Sequence, residues 1–513
     1  MQAAISNRDI IHEFLNQLEI QASWKDLSLL RRQRQDLLWV ALSCKAFVDP
    51  ALDLLWRQID SLTPLFSILS GFFWTGDCYV LLGSVPSYQL TRLKRYAVCV
   101  REAKISFDHR IHPSTLHRLW QLLRAPILPR LRSLTWDNGD PLALQSFFFI
   151  TTSLSHIDIK TYPKTGQVGE SYALAAFLDV LADQVSSLRH LKLSGRLPHY
   201  CLNALARMKE LRSLDMNGCM ITGGGDPPMP LVLRPFQNLS SLNIECQCML
   251  TILTLPNCRL DHLVNLKLFG DLPSGIRILG SLAPERLLSL SVTFVLGKLE
   301  EYSIFFRKVA ARFPHLRRLQ AQMPSVVWWL PVQHVDFADI FEPLLSLKDM
   351  ENFLLGTTDV VVPMDDQDIE RLASSWPKLR SFSSTHSLHD DGRAPSIRCL
   401  SAFAKLCPSL EELELPVRLS LPQGFVYDAR SRHGLRLLRL LHHPGEYVEI
   451  DGIAHILNTL FPSLDLAAMA RGDVSSVTWR DIIRVMMEKR PSSTSLLQEF
   501  HASSQSSFSP WGI

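Results

Sequence analysis

The stretch Leu188-Arg189-His190-Leu191-Lys192-Leu193 and its near-copy Leu211-Arg212-Ser213-Leu214-Asp215-Met216 share one pattern: apolar, two residues, apolar, one residue, apolar. Side chains alternate between faces along an extended strand, so the last two apolar residues enter the same interior and the residue between them faces away. The first apolar residue arrives from the preceding turn and packs into that interior too. Upstream the pattern recurs at Leu131, Leu134, Trp136 and at Leu154, Ile157, Ile159, with a degenerate early copy at Val100, Ala103, Ile105. Downstream it returns at Leu239, Leu242, Ile244, then Leu263, Leu266, Leu268, then Leu287, Leu290, Val292, then Leu316, Leu319, Ala321. Met350, Phe353, Leu355 come next, then Leu379, Phe382 and a polar Ser384, then Leu410, Leu413, Leu415 and finally Leu435, Leu438, Leu440. Copies from Leu131 onward start 23 to 34 residues apart. That interval holds a strand and a helix, and self-similarity at such a period marks an array of stacked units.

A second ladder supports the helices. Phe313-Pro314-His315-Leu316, Trp376-Pro377-Lys378-Leu379, Cys407-Pro408-Ser409-Leu410 and Phe461-Pro462-Ser463-Leu464 share one form, and proline stops a helix. Upstream of three of them, Phe306, Val309, Ala310, Phe313, then Ile369, Leu372, Ala373, Trp376, then Ile453, Ile456, Leu457, Leu460 follow helical spacing. The expected architecture is an α/β solenoid with parallel strands on a concave face and helices on a convex one. Outward strand residues would form the binding surface: Arg189, His190 and Lys192, then Arg212 and Asp215, then Lys267, then Glu412 and Glu414. The adjacent Trp328-Trp329, in a lengthened repeat, is a further contact candidate.

The totals fit a folded protein: 513 residues, 47% hydrophobic, 20% charged. A net charge of +3, with only short basic clusters at Arg31, Arg32, Arg34 and at Arg92, Lys94, Arg95, argues against a nucleic-acid partner. The apolar window Leu62 to Gly83 is broken by Pro64, Gly71, Gly76 and Asp77, so no membrane span is expected. Ten scattered cysteines lack metal or disulfide spacing, and reduced thiols of the cytoplasm or nucleus are the expectation. No catalytic constellation emerges. Gly223-Gly224-Gly225 lacks the lysine of a phosphate loop, and His386, His389, Asp390 and Asp391 read as a polar surface loop. Asp365, Asp366 and Asp368 read as a favourable helix N-terminus. The chain is expected to be no enzyme and to need no cofactor or metal.

Before the ladder the texture is helical. Ile10, Ile11, Phe14, Leu15 and Leu18 form one stripe, Trp24, Leu27 and Leu30 begin another, and Leu38, Ala41, Leu42 and Lys45 read as a further helix. Asp49-Pro50 reads as the start of a new helix with the stripe Leu52, Leu55, Trp56, Ile59. The segment Val40-Ala41-Leu42-Ser43-Cys44-Lys45-Ala46-Phe47, followed by Pro50-Ala51-Leu52-Asp53-Leu54-Leu55-Trp56, resembles the F-box of fungal F-box/leucine-rich-repeat proteins. Ser6-Asn7 stand where that family usually has a leucine-proline pair.

The resemblance implies a substrate-recognition subunit of a ubiquitin ligase. Its N-terminal helices would bind a Skp-type adaptor, and through it a cullin, while leucine-rich repeats capture an unknown target protein. It assigns the adaptor surface to Phe14, Leu15, Leu18, Leu42, Cys44, Lys45 and Trp56. The alternative is a non-ubiquitin repeat scaffold or ligand sensor whose N-terminal helices only cap the array. The implied organisation is a helical module over 1–60, a connection and N-terminal cap over 61–95, and repeats over 96–465. A C-terminal helical cap over 466–490 and a disordered serine-rich tail over 491–513 complete it.

Overall fold

The computed structural model describes Leu15 and residues 27–106, 111–138, 144–161, 170–198, 200–222, 236, 238–246, 260–282, 286–296, 299–323, 333–334, 337–357, 360–385, 394–420, 433–441, 448–471 and 477–490. The chain divides into two compact units, Met1–Ile244 and Glu245–Ile513.

The first unit opens with helices α1 (Leu27–Ser43) and α2 (Lys45–Leu55). Its strands are β1 (Gln58–Ile59), β2 (Phe72–Trp74), β3 (Tyr79–Leu81), β4 (Glu102–Ser106), β5 (Ser133–Asn138), β6 (His156–Thr161), β7 (His190–Pro198), β8 (Ser213–Met216), β9 (Cys219–Thr222) and β10 (Ser241–Glu245). β2 and β3 form an antiparallel hairpin, whereas β1, β4, β5, β6, β7, β8 and β10 lie side by side in that order, all parallel. The ladder therefore reaches back to Gln58, well before the first apolar triplet.

The second unit repeats the plan with β11 (Asn265–Asp271), β12 (Ser289–Leu296), β13 (Arg318–Met323), β15 (Asn352–Thr357), β17 (Ser381–Thr385), β18 (Glu412–Pro416) and β19 (Leu437–Leu441), again parallel and in chain order. A separate short pair joins β14 (Gln333–His334) to β16 (Val360–Val361). Helices Leu272–Ser281, Leu299–Arg312, Phe337–Leu344, Asp366–Ser375 and Cys399–Leu406 alternate with the ladder strands, and Ile450–Leu460, Leu466–Arg471 and Val477–Glu488 come after β19. Every apolar triplet read from the sequence lands on one of these parallel strands or the turn before it. Each unit is thus an α/β ladder of the leucine-rich-repeat kind.

The register follows from side-chain parity. Leu290, Leu319, Phe353, Phe382, Leu413 and Leu438 stand opposite one another on successive strands, and all are buried. Phenylalanines at two of these rungs build an aromatic spine: Phe353 lies 5.4 Å from Phe341, 5.1 Å from Trp376 and 5.7 Å from Phe382, which in turn meets Phe403 at 5.5 Å. Trp376 is fully buried, and its indole N–H donates to the Leu344 carbonyl at 3.3 Å.

The proline-marked turns share one geometry. Trp376, Cys407 and Phe461 end their helices with φ near −120° and ψ near +70° (−121° and 66°, −118° and 71°, −128° and 68°). Each carbonyl then accepts from the N–H three residues on, Leu379, Leu410 or Leu464. Proline after the buried residue suits the turn because its fixed φ stops the helix and no N–H is wanted there. The three aspartates fall where dipole reasoning put them: Asp365 and Asp368 form a reciprocal capping box, and Asp366 accepts from both the N–H and the hydroxyl of Ser396. Helix Leu272–Ser281 lies so close to β12 that a Cβ on Gly275 would sit 2.6 Å from the Phe294 ring.

The N-terminal helices correct the sequence reading in two respects. Leu27 to Ser43 is one unbroken helix, and its buried stripe is Leu30, Leu37 and Ala41 rather than Leu38, Ala41, Leu42 and Lys45. Leu38 and Leu42 occupy the neighbouring face, which points to solvent. Pro50 sits inside α2, which starts at Lys45 after an extended Cys44, instead of opening a helix of its own. The proline removes one donor to the carbonyl four residues back. Burial of Pro50, Ala51 and Leu54, the last two in a cluster with Leu15, Leu30, Leu37 and Ala41, offsets that loss.

Parity yields a direct expectation for stability. Phe353→Ala should cost about 3–5 kcal/mol, the range for a buried phenylalanine. Leu354→Ala, one residue on and half-exposed, should cost under about 1 kcal/mol. Denaturant unfolding monitored by tryptophan fluorescence checks both, and comparable losses would contradict the register.

Candidate strand-face interface and N-terminal apolar face

Across the first unit, outward side chains stand in register. One row runs Glu102, Ser133, His156, His190, Ser213, Ser241, and the next runs Lys104, Thr135, Asp158, Lys192, Asp215, Asn243. Arg189, His190, Lys192, Arg212 and Asp215 are brought together on β7, β8 and the turns before them. His156, Asp158 and Lys160 on β6 belong to the same surface. Sequence reasoning did not single them out, although they hold the outward places of Leu154, Ile157, Ile159 by the same rule that selected His190 and Lys192.

The electrostatics of this face are mixed. His156 and His190 stack, with ring centroids 4.2 Å apart and planes 10° from parallel. Partial burial lowers the pKa of His156, and the Arg189 charge adds to that. Burial also leads the lowering at His190, joined by His156, Arg212 and Arg189. Burial pushes the Asp158 carboxyl up, opposed by Lys192 and Lys160. Lys160 pairs with Asp137 at 3.3 Å, and Asn243 donates to Asp215 at 2.9 Å.

In the second unit Lys267 is exposed on β11, five strands from the glutamates of β18. Glu412 and Glu414 line a cavity of about 330 Å³ with Leu437, Arg439, Met469 and Trp479. Arg439 donates to Glu414 at 2.9 Å, and the Ser383 hydroxyl donates to its other oxygen at 2.8 Å. Glu412 accepts from the Ser381 hydroxyl at 3.3 Å.

Helix α1 presents a second surface. Leu38, Trp39 and Leu42 are 43%, 63% and 70% exposed, and Cys44 and Lys45 beyond them are exposed too. Of the residues assigned to an adaptor, Leu42, Cys44 and Lys45 are accessible. Leu15 is not: it is fully buried in the cluster that joins α1 to α2. Trp56 is half-buried and stacks on Tyr96 at 5.2 Å, so one face of its ring is used internally. Trp39 and Leu38 were missed as surface residues, although Leu38 and Leu42 stand four apart and mark one helix face. Phe14, Leu18, Trp328 and Trp329 lie outside the described residues, as do 223–225, 386–391 and the tail 491–513.

Among the described residues no group of three or more His, Cys, Asp or Glu side chains could hold a metal ion, and no helix is long and apolar enough to cross a membrane. Burial raises the thiol pKa of Cys201 and Cys407 to about 12, and that of Cys399 well above its ordinary value. These thiols stay protonated and are poor nucleophiles.

No protein-family model and no curated protein matches the chain. Solved structures that resemble it include an internalin from Listeria monocytogenes, 13% identical over 84% of this chain and 98% of that one, with a TM-score of 0.32. Another is a leucine-rich-repeat protein from Leptospira interrogans, 16% identical over 66% and 91% of the respective chains, with a TM-score of 0.26.

The stacked imidazoles give a pH expectation with a definite sign. Both should titrate below 6.5, the ordinary histidine value. A depressed folded-state pKa means that the unfolded chain takes up these protons first, so their contribution to stability falls as pH drops below about 6.5 and levels off below the folded pKa. Arg189→Gln should raise both midpoints in an NMR titration. A midpoint above 6.5 in the unmutated protein would refute the assignment.

Proposed function

We propose that this protein is a non-enzymatic recognition subunit of the cytoplasm or nucleus. In this reading the strand face of the repeats holds a target protein, and the apolar face of α1 docks a Skp-type adaptor that leads to a cullin ubiquitin ligase. The observation that carries it is the solvent-facing strip Leu38, Trp39, Leu42 at the end of α1, where the helix runs into the segment that resembles an F-box. Large apolar side chains at such exposure on one helix face are the signature of a partner surface. The neighbouring stripe of the same helix is already spent on the internal cluster. The strand face supplies what capture of a protein needs: rows of charged and polar side chains, held in fixed register by buried neighbours.

A second reading, a repeat scaffold whose N-terminal helices only cap the array, draws on the ties between those helices and the start of the ladder. Arg34 bonds Asp60 at 3.2 Å and the Gln58 carbonyl at 3.0 Å, and Trp56 stacks on Tyr96. Arg34 thus ties α1 to the first strand, the stack ties the end of α2 to the helix Ser87–Ala97, and Leu38, Trp39 and Leu42 stay exposed.

Co-purification of the full chain with a Skp-type adaptor separates the two. Leu38→Asp with Leu42→Asp should leave thermal melting unchanged and weaken adaptor capture by roughly tenfold or more, the scale of losing interface anchors. Trp56→Ala should instead lower the melting temperature through loss of the Tyr96 stack. An intact protein that captures no adaptor would leave the scaffold reading in place.

A further inference from the structure

The residue at the end of a lead-in turn performs the same task along most of the ladder in both units: its carbonyl accepts from two consecutive N–H groups of the next repeat. In the first unit these places are held by Arg57, Arg101, Arg132, Ser155, Arg189 and Arg212. In the second they are held by Val264, Leu288, Arg317, Glu351, Arg380 and Glu411. The second rim neutralises itself, with Arg317 on Glu351 at 3.2 Å and Arg380 on Glu411. The first has no acidic rung. Arg132, Arg189 and Arg212 are exposed, and among the described residues they form no ion pair.

Strands stand about 4.8 Å apart, so the row from Arg132 to Arg212 covers three steps, roughly 14 Å. That is the length of about four residues of extended chain, which a hexapeptide overreaches by a residue at each end. We propose that this rim binds an extended acidic segment of a partner protein, with Arg132, Arg189 and Arg212 as the contacting cations and the stacked His156 and His190 beside them. The inference rests on the reading that the strand face captures a protein, and it names the chemistry of the captured segment.

Charge complementarity selects a narrow occupant. The second outward row is mixed, with Asp158 and Asp215 set among Lys104 and Lys192, so the purely cationic strip is the rim alone, about one residue wide. A polypeptide can track such a strip, whereas a broad polyphosphate or an anionic membrane would also meet those carboxylates. The aromatic rings on this part of the face, His156 and His190, are stacked on each other instead of being spread for bases. A planar guanidinium, with its fork of donors, matches carboxylate geometry.

Fluorescence anisotropy of the full chain with a labelled hexaglutamate peptide tests the proposal, with hexaglutamine, oligouridylate and phosphatidylserine vesicles as comparisons. The expected result is hexaglutamate binding that weakens as salt rises and falls by roughly tenfold or more in the triple variant Arg132→Glu, Arg189→Glu, Arg212→Glu. Lys308→Glu, exposed on the helix Leu299–Arg312, should leave it unchanged. The milder pair Arg189→Gln, Arg212→Gln, checked by thermal melting, should show a smaller loss in the same direction. Hexaglutamate bound no better than hexaglutamine, a triple variant that retains binding, or a clear preference for oligouridylate or vesicles would each overturn it. Adaptor capture by the triple variant should persist. Loss of adaptor capture in Leu38→Asp, Leu42→Asp with peptide binding retained would concern the N-terminal face alone.

Discussion

One hydrogen-bonding device sets the translational order of each unit. Along most of the ladder a single backbone carbonyl at the end of the lead-in turn accepts from two successive N–H groups of the next repeat, as Arg101 does for Arg132 and Ser133, and Arg380 for Glu411 and Glu412. Because these repeats hand their neighbours the same pair of bonds at the same place, successive strands start level. Level strands put leucine opposite leucine, and the interior fills one rung at a time. A slip of one residue would turn every buried side chain outward, so the hydrophobic pattern and the carbonyl hand-off enforce the same register.

The same device explains the surfaces. With the register fixed, side chains between the buried positions have nowhere to go but outward, and they form rows. In the second unit the rim row alternates Arg317, Glu351, Arg380, Glu411 and binds itself. In the first unit its counterpart is arginine with serine, and among the described residues Arg132, Arg189 and Arg212 are exposed without an ion pair. Exposed ion pairs add little to stability, so the contrast bears on recognition more than on folding. The α1 face is a different kind of surface, apolar and helical, and the two can serve different partners.

The ladder was legible because its signal is strictly periodic and is repeated many times: each triplet from Leu131 to Leu440 has a strand. The polar Ser384 was read at a leucine place and is indeed buried there. Less was legible at the N-terminus, where apolar residues surround α1 on more than one face. Leu30, Leu37 and Ala41 pack inward while Leu38, Trp39 and Leu42 do not, and a helix that is apolar on adjoining faces offers no sequence rule for choosing between them. Pro50 misled for a related reason: packing against Ala51 and Leu54 outweighs a proline's preference for a first turn. Gln58–Ile59 carries too few residues to show a strand pattern, and it is recognisable only by its pairing with Glu102 and Ala103. The outward candidates emerge wherever a repeat is read residue by residue, as at Arg189 and Lys192. The His156 stack needed the third dimension, because it depends on two residues of different repeats meeting at one level.

Distance measurement along the ladder bears most directly on the shared level of the strands. Ser291, Gln320, Leu354, Ser383 and Glu414 succeed one another in register across five neighbouring strands of the second unit. Spin labels introduced at 291 and 414 by an unnatural amino acid should give a single narrow electron–electron distance near 20 Å, from four steps of about 4.8 Å. A broad distribution, or one centred beyond about 30 Å, would contradict the stacked register on which both surfaces depend.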